Sequence, residues 1–278
     1  MEKGIVKAVL ETSNNILLEV YGDLLKPGVS QVGQAIGTLL GYGNTILMPL
    51  ALKNEKSKIT IQSNLNKYRQ KLEEISEENI QSVVPEIGVP ILEKLMYVSD
   101  ETLVELYTEL LAKASDKEQC ESTHPSFVNI INNLSPKEVK ILELIYEKHL
   151  AIVSVNVIAD DSSHPVEQIS ELILDVDIYD ENATAHISNL IGLGLIDMNF
   201  NVQFSAAQRY ERLEEIIKET YSNAPTELKD VEIISHFMKG NVSFSRGTIE
   251  ISSFGGLFLK ACTKNRKKTE LFNLFSRL

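Results

Sequence analysis

The stretch Leu134-Ser135-Pro136-Lys137-Glu138 divides the sequence into two parts of different character. A serine before the first helical residue, a proline at that residue and a glutamate two residues later form a capping box, which is typical of the first turn of a helix. We expect that helix to run to about Leu150. No segment before residue 135 alternates apolar and polar side chains as a strand does, whereas strand-like segments occur after it. The sequence therefore predicts two modules, residues 1–134 and residues 135–278.

Two further helices are expected after the capping-box helix. A weaker helical pattern spans Pro165 to Leu174. The next helix begins near Asp180, and Gly192 or Gly194 ends it, since glycine is favoured just beyond the last helical residue.

Two strands and a last helix complete the second module. Leu195–Met198 and Thr248–Ile251 have strand character, and the insertion between them contains two helical segments, Ala206–Tyr221 and Val231–Lys239. Ser252 or Ser253 caps a helix that extends to Cys262. This order of elements is that of a winged helix-turn-helix with an enlarged wing; the alternative is a small α+β module without a role in DNA binding.

The first module is expected to be helical throughout. Apolar residues recur at helical spacing in Ile16–Leu24, Val29–Leu52 and Ile59–Ile75, and Asp100 is suited to cap a further helix. Pro85 and Pro90 are expected to bracket a short turn. The predicted fold class is therefore mainly α (α+β), with a helical N-terminal module followed by a winged-helix-like module.

One segment of the first module carries no charge at all. Residues 27–52 lie between Lys26 and Lys53, and within them Gly33, Gly37 and Gly41 recur every fourth residue. Such a repeat places small residues along one side of a helix, as in a glycine zipper, and lets a second helix approach closely.

Two interpretations of this segment remain open. It is either a core helix that packs through its glycines, or a segment that oligomerises or enters a membrane once it is released from the fold. The residues that we assign to an interaction or membrane segment are Gly33, Gly37, Gly41, Ile36 and Leu40.

No catalytic, cofactor-binding or metal-binding residues can be assigned from motifs. Cys120 and His124 stand four residues apart, but a zinc site requires three or four ligands and no second pair of ligands exists. Walker A, Gly-x-Ser-x-Gly and Gly-x-Gly-x-x-Gly motifs are missing. Adjacent acidic residues point to different faces of a helix and so are expected to form a solvated surface. We therefore expect a protein that is not an enzyme.

The charge of the chain argues against a nucleic-acid partner. There are 27 basic and 39 acidic residues, which gives a net charge of −12, and the residues from Ser135 onward contribute 15 − 21 = −6. The helix that would read DNA, Asp180 to Leu193, contains no cation. Two cysteines and an N-terminus without a signal peptide indicate a cytoplasmic protein.

Ten short motifs occur in a characteristic order along the chain. They are Leu25-Lys26-Pro27-Gly28, Gly33–Gly41, Pro49-Leu50, Val84-Pro85-Glu86, Pro90–Leu95, Asp100–Leu103, Leu110–Ser115, His124–Val128, Leu134–Pro136 and Phe254–Cys262. Their order and spacing over residues 25 to 270 resemble the abortive infection alpha (Abi-alpha) family. The resemblance implies a bacterial protein of anti-phage abortive infection, and it brings no catalytic residues with it.

These observations favour a non-enzymatic defence protein that acts through a protein partner, self-association or membrane contact of the glycine segment. One alternative is a sensor or adaptor that docks another protein through the second module. Another alternative is a winged-helix regulator that binds DNA.

Overall fold

The computed structural model describes most of the chain in segments. These segments are residues 30–42, 55–147, 150–158, 165–173, 182–201, 203, 205, 207–223 and 232–264. The helix predicted at Ile16–Leu24 and the last part of the charge-free segment lie outside them.

Ten α-helices and four strands form the described part of the molecule. The helices are α1 Ser30–Tyr42, α2 Glu55–Glu73, α3 Pro85–Leu95, α4 Glu101–Ala114, α5 Ser126–Asn132, α6 Pro136–Glu147, α7 Ala183–Gly192, α8 Ala207–Ser222, α9 Glu232–Lys239 and α10 Ser253–Cys262. The strands are β1 Leu150–Ile158, β2 Pro165–Ile173, β3 Ile196–Asn199 and β4 Val242–Ile251. The protein is therefore mainly helical with a small antiparallel sheet, as the sequence predicts at this level.

The chain divides into two compact units that are discontinuous in sequence. The helical unit comprises the residues up to Pro136 and those from Leu257 onward, and the mixed unit is Lys137–Gly256. One boundary between the units follows Pro136, and the other follows Gly256, inside α10.

The core of the helical unit is formed by amphipathic helices whose apolar faces the sequence makes evident. On α2, Ile61, Leu65, Tyr68 and Leu72 follow one another at helical spacing, and all four are fully buried. On α4, the Asp100 carboxylate accepts hydrogen bonds from the backbone N–H groups of residues 102 and 103, which is the predicted N-cap. Most of the residues of α4 are buried, so this helix lies at the centre of the unit.

The turn predicted between Pro85 and Pro90 is wrong, because both prolines lie in α3. Pro85 occupies the start of the helix, where the missing N–H would have no intrahelical partner. Pro90 lies inside the helix and removes one backbone hydrogen bond. Burial of Ile87, Ile91 and Leu95 on the same helix offsets that loss.

The mixed unit is built on a four-stranded antiparallel sheet with the order β2-β1-β4-β3. Ala151, Val153 and Val155 of β1 alternate along one face, where they pack against Tyr210, Leu213 and Ile217 of α8. The Tyr210 hydroxyl donates to the backbone oxygen of Gly247 at 3.0 Å and thereby fixes α8 to β4. This arrangement confirms the predicted helix in the insertion and the pairing of the two predicted strands.

The helix predicted from Pro165 to Leu174 is wrong, and β1 was not predicted. Val166, Ile169, Leu172 and Ile173 are spaced like one face of a helix, yet the segment pairs with β1 as strand β2. A β-hairpin therefore stands where the second helix of a winged helix-turn-helix was expected. The winged-helix interpretation is not confirmed by the described residues. They show an α+β module.

Gly194 ends α7 in the manner that the sequence predicts. Its φ is 72°, which glycine adopts without strain. The N–H of Gly194 donates to the oxygen of Ile191, and the N–H of Leu195 donates to the oxygen of Leu190. These two bonds form a Schellman motif.

The start of α10 is fixed against the residues that follow α7. The Ser252 hydroxyl oxygen lies 2.5 Å from the Gly194 backbone oxygen and accepts a hydrogen bond from the Gly255 N–H at 2.8 Å. Ser252 is therefore the N-cap of this helix, which is one of the two residues predicted for that position.

Candidate functional site

A network of four charged side chains joins α2 to α4 within the helical unit. Glu105, Glu109 and Lys113 follow at intervals of four residues on α4 and so share one face of the helix. Lys71 of α2 donates to Glu105 Oε1 and to Glu109 Oε2, both at 2.6 Å. Lys71, Glu109 and Lys113 are buried, whereas Glu105 is half exposed. We call these four residues the charge network.

The same network reaches the end of α10 through Lys113. Lys113 Nζ donates to the backbone oxygen of Lys260 at 2.5 Å and to that of Thr263 at 2.6 Å. It also lies 3.4 Å from Glu109 Oε1. A cation at these carbonyl groups satisfies acceptors that a helix C-terminus leaves open. Lys113 therefore holds the last turn of α10 against α4.

The pKa values of the two buried lysines are shifted in opposite directions by their surroundings. Burial lowers the pKa of Lys71, but its hydrogen bonds to Glu105 and Glu109 outweigh burial and hold the pKa above its ordinary value. Burial lowers the pKa of Lys113 below its ordinary value, because the attraction of Glu109 only partly compensates for lost hydration. Lys71 is thus the more strongly stabilised cation of the two.

The network is suited to hold helices together rather than to transfer protons or attack a substrate. Each amine is already engaged with two or more oxygens. Next to Lys113, burial raises the pKa of the Cys262 thiol well above its usual range, so this sulfur stays protonated and a poor nucleophile.

A cleft of about 440 Å³ opens beside the network in the helical unit. Lys71, Glu109 and Lys113 form part of its wall. Glu74, Asp116 and Glu118 add three further carboxylates, and Lys264 lines the cleft from the segment that follows α10. We call this space the α2–α4 cleft. Its wall is polar and charged.

The predicted interaction residues of α1 fall into two groups. Ile36 and Leu40 are buried in the core of the helical unit together with Val32, Ala35 and Leu39. Gly33 and Gly37 are half-buried, and Gly41 is exposed. The two apolar residues are therefore buried more deeply than the three glycines.

The glycines flank the core-facing side of α1. A Cβ atom added at Gly33 or at Gly41 would meet no atom of the described residues within 4 Å. At these two positions the fold leaves space that a larger side chain could occupy. The apolar side of α1 is buried in the core of the helical unit, whereas no described residue packs closely against Gly33 or Gly41. We call the side formed by Gly33, Gly37 and Gly41 the glycine face.

The spacing of Cys120 and His124 does not produce a shared site. Cys120 Sγ lies 3.6 Å from the backbone oxygen of Lys117, and His124 Nδ1 lies 2.6 Å from the hydroxyl oxygen of Ser126. Within the described ranges, no group of three or more His, Cys, Asp or Glu side chains is arranged to hold a metal ion. Among the helices in those ranges, none has both the length and the apolarity required to cross a bilayer.

Sequence reasoning missed the charge network. The spacing of Glu105, Glu109 and Lys113 on α4 is a local signal for pairing within a helix. Nothing local connects these residues to Lys71, which stands 34 residues before Glu105. The contact from Lys113 to Thr263 spans 150 residues and depends on the tertiary fold.

Comparison with known proteins gives one family and one structure. A model of the family described as abortive infection alpha matches residues 60–262, more than two thirds of the chain. This range contains the charge network and begins after α1. A solved structure of an uncharacterized protein from the hydrocarbon-degrading marine bacterium Alcanivorax borkumensis SK2 is 13% identical, with a TM-score of 0.32; the similarity covers 52% of this chain and 94% of that chain. No curated protein matches the sequence.

Proposed function

Because this chain belongs to the abortive infection alpha family, we propose that it protects bacteria from phages by abortive infection, in which the infected cell stops growing before phages spread. The family match is the observation that carries this proposal. We further propose that the chain works in the cytoplasm without enzymatic chemistry of its own, and that its effect depends on contact with a protein, another copy or a membrane.

The glycine face of α1 is the surface that we propose for this contact. Each glycine inside a helix costs about 1 kcal/mol relative to alanine. Among the described residues nothing at Gly33 or Gly41 offsets that cost, because an added Cβ would meet none of their atoms within 4 Å. A close approach by a second helix would make use of such a face. Ile36 and Leu39, both fully buried, anchor α1 in the helical unit and hold the glycine face in place.

Substitution of the glycines separates folding from function. We expect Gly33→Ala combined with Gly41→Ala to raise the free energy of unfolding by about 1–2 kcal/mol, because alanine favours the helix and both positions have room. We expect Gly33→Leu combined with Gly41→Leu to leave the protein folded but to abolish protection, because the bulky side chains keep a second helix away. Thermal unfolding and the survival of phage-infected cultures measure the two effects.

Gly256→Leu in α10 is the matched control. This glycine also lies in a helix, and a Cβ there would meet nothing within 4 Å. The control is expected to keep both the fold and the protection. If the leucine variant at positions 33 and 41 protects cells as well as the natural chain does, the glycine face has no part in defence.

Three measurements distinguish the kind of contact. Cell fractionation before and during infection reports whether the chain moves to the membrane, and leakage from liposomes reports whether it damages a bilayer. Sedimentation of the purified protein reports assembly of copies. A chain that stays monomeric and off the membrane, yet captures a phage or host protein, would instead act as a sensor or adaptor.

A further inference from the structure

The helix α10 has residues in both compact units of the chain. It spans Ser253–Cys262, and the boundary between the mixed unit and the helical unit follows Gly256, so that about one turn lies before the boundary and more than one turn after it. The helical hydrogen bonds run from one end to the other: the Gly256 N–H donates to the oxygen of Ser252, and the Thr263 N–H donates to that of Leu259. The chain therefore passes from one unit to the other as a helix and not as a flexible loop.

The first turn of α10 is held within the mixed unit by close backbone contacts. The Ser252 N–H donates to the backbone oxygen of Leu195 at 3.1 Å, and the Ser252 hydroxyl caps the helix at Gly255. A Cβ at Gly255 would lie 1.9 Å from that same oxygen of Leu195. The first turn therefore has little freedom to move relative to the chain that follows α7.

The last turn of α10 is held within the helical unit by buried side chains and by Lys113. Phe258, Ala261 and Cys262 have no exposed surface. Lys113 Nζ binds the backbone oxygens of Lys260 and Thr263. The positions of these two oxygens depend on the helical conformation of the last turn.

A helix of ten residues depends on both of these attachments. Isolated helices shorter than about 12 residues are marginal in water, because the first turn is costly to form. Gly255 and Gly256 reduce the helix preference further, by about 1 kcal/mol each. Loss of the contacts at one end of α10 is therefore expected to loosen the turn at its other end.

We propose that α10 couples the two units, so that a change at its first turn in the mixed unit alters the stability of the contacts that Lys113 and Phe258 make in the helical unit. The coupling is reciprocal, as any equilibrium coupling between two places in a molecule must be. A protein or ligand that displaces the first turn of α10 would thereby loosen the charge network. The coupling is a property of the folded chain and does not depend on a role in defence.

Hydrogen exchange of the full chain, followed by mass spectrometry of its peptides, tests the coupling. We expect Ser252→Ala, which removes the cap, to speed exchange at the end of α4 beside Lys113 by up to about fivefold, since a cap contributes about 1 kcal/mol. Gly255→Ala, which also forces the first turn away from Leu195, is expected to have a larger effect. Gly256→Ala is the matched control and is expected to leave this exchange unchanged or slower. Unchanged exchange of α4 in both Ser252→Ala and Gly255→Ala overturns the proposal.

A second pair of variants shows whether the effect is transmitted through α10 itself. Leu257→Gly places a third successive glycine at the boundary and weakens the helix there, whereas Leu257→Ala removes the same exposed side chain but favours the helix. We expect Ser252→Ala to speed exchange of α4 when it is combined with Leu257→Ala, but not when it is combined with Leu257→Gly. An effect of equal size in both combinations would mean that the units influence each other by another route, and that α10 does not couple them.

Discussion

At the residue scale, two adjacent glycines in α10 differ in the space that surrounds them. A Cβ added at Gly255 would lie 1.9 Å from the backbone oxygen of Leu195, whereas one added at Gly256 would meet nothing within 4 Å. The helix can therefore lie against the chain after α7 only because position 255 has no side chain. The motif Phe254-Gly255-Gly256 thus contains one glycine that the packing requires and one that it does not.

We expect Gly255→Ala to destabilise the mixed unit by about 3 kcal/mol or more, since the neighbouring atom is backbone and cannot turn away. Gly256→Ala is the matched control and is expected to be neutral or slightly stabilising. Urea unfolding followed by circular dichroism measures both. Equal stability of the two variants would mean that α10 shifts at no cost and that the contact with Leu195 is not restrictive.

At the scale of helices, the charge network joins three elements through one carboxylate. Glu109 of α4 lies between Lys71 of α2 and Lys113, which in turn holds the end of α10. Removing the charge of Glu109 leaves two buried amines without their shared counter-ion. We expect Glu109→Gln to lower the free energy of unfolding by about 3 kcal/mol, as measured by thermal or urea unfolding.

Glu101→Gln on the same helix is the control for that change. Glu101 pairs with Lys67 at the surface, and its side chain is 83% exposed. Water and salt screen such a pair, so its loss is expected to cost less than about 1 kcal/mol. If both variants lose the same stability, the burial of Glu109 does not strengthen its contribution.

Local signals were sufficient for the helices that carry them. Asp100 caps α4 and the apolar stripe of α2 is buried, because caps and periodicity act within a few residues. Gly194 ends α7 for the same reason. These features could be predicted without knowing which residues contact each other in the tertiary structure.

Elements that depend on distant partners were not predictable in the same way. Pro165–Ile173 has helical spacing, and only its pairing with β1 makes it a strand. Pro90 is tolerated in α3 because the helix buries apolar residues on both sides of it. For the candidate site, the sequence located the glycines of α1 but could not show that Ile36 and Leu40 are buried while Gly41 is exposed.

At the scale of the whole molecule, the buried thiol of Cys262 makes the free energy of unfolding vary with pH in the alkaline range. Burial raises the pKa of this thiol above its ordinary value of 9.0. At a pH between the pKa of the thiol in the unfolded chain and its raised pKa in the folded chain, the unfolded chain releases the proton while the folded chain keeps it. The free energy of unfolding therefore falls as pH rises above about 9, by up to about 1.4 kcal/mol per pH unit from this group.

We expect Cys262→Ala to be less stable at pH 8, because it loses packing, but to decline less steeply between pH 9 and pH 10.5. Lys113, whose lowered pKa acts in the opposite direction over this range, is present in both proteins and is coupled to Cys262 by charge. The difference between the two slopes, measured by urea unfolding at each pH, therefore reports the thiol together with this coupling. Parallel slopes would show that Cys262 titrates alike in the folded and unfolded chains.

The discontinuity of the helical unit has a consequence for the order in which the protein is made. Phe127 packs edge-on against Phe258, with ring centroids 5.5 Å apart, yet the ribosome adds Phe258 only after the whole mixed unit. Until then Lys113 lacks the carbonyl groups that it binds at the end of α10. The part of the helical unit up to Pro136 is therefore made first, and it gains its packing with the end of α10 only after the mixed unit, Lys137–Gly256, has been translated.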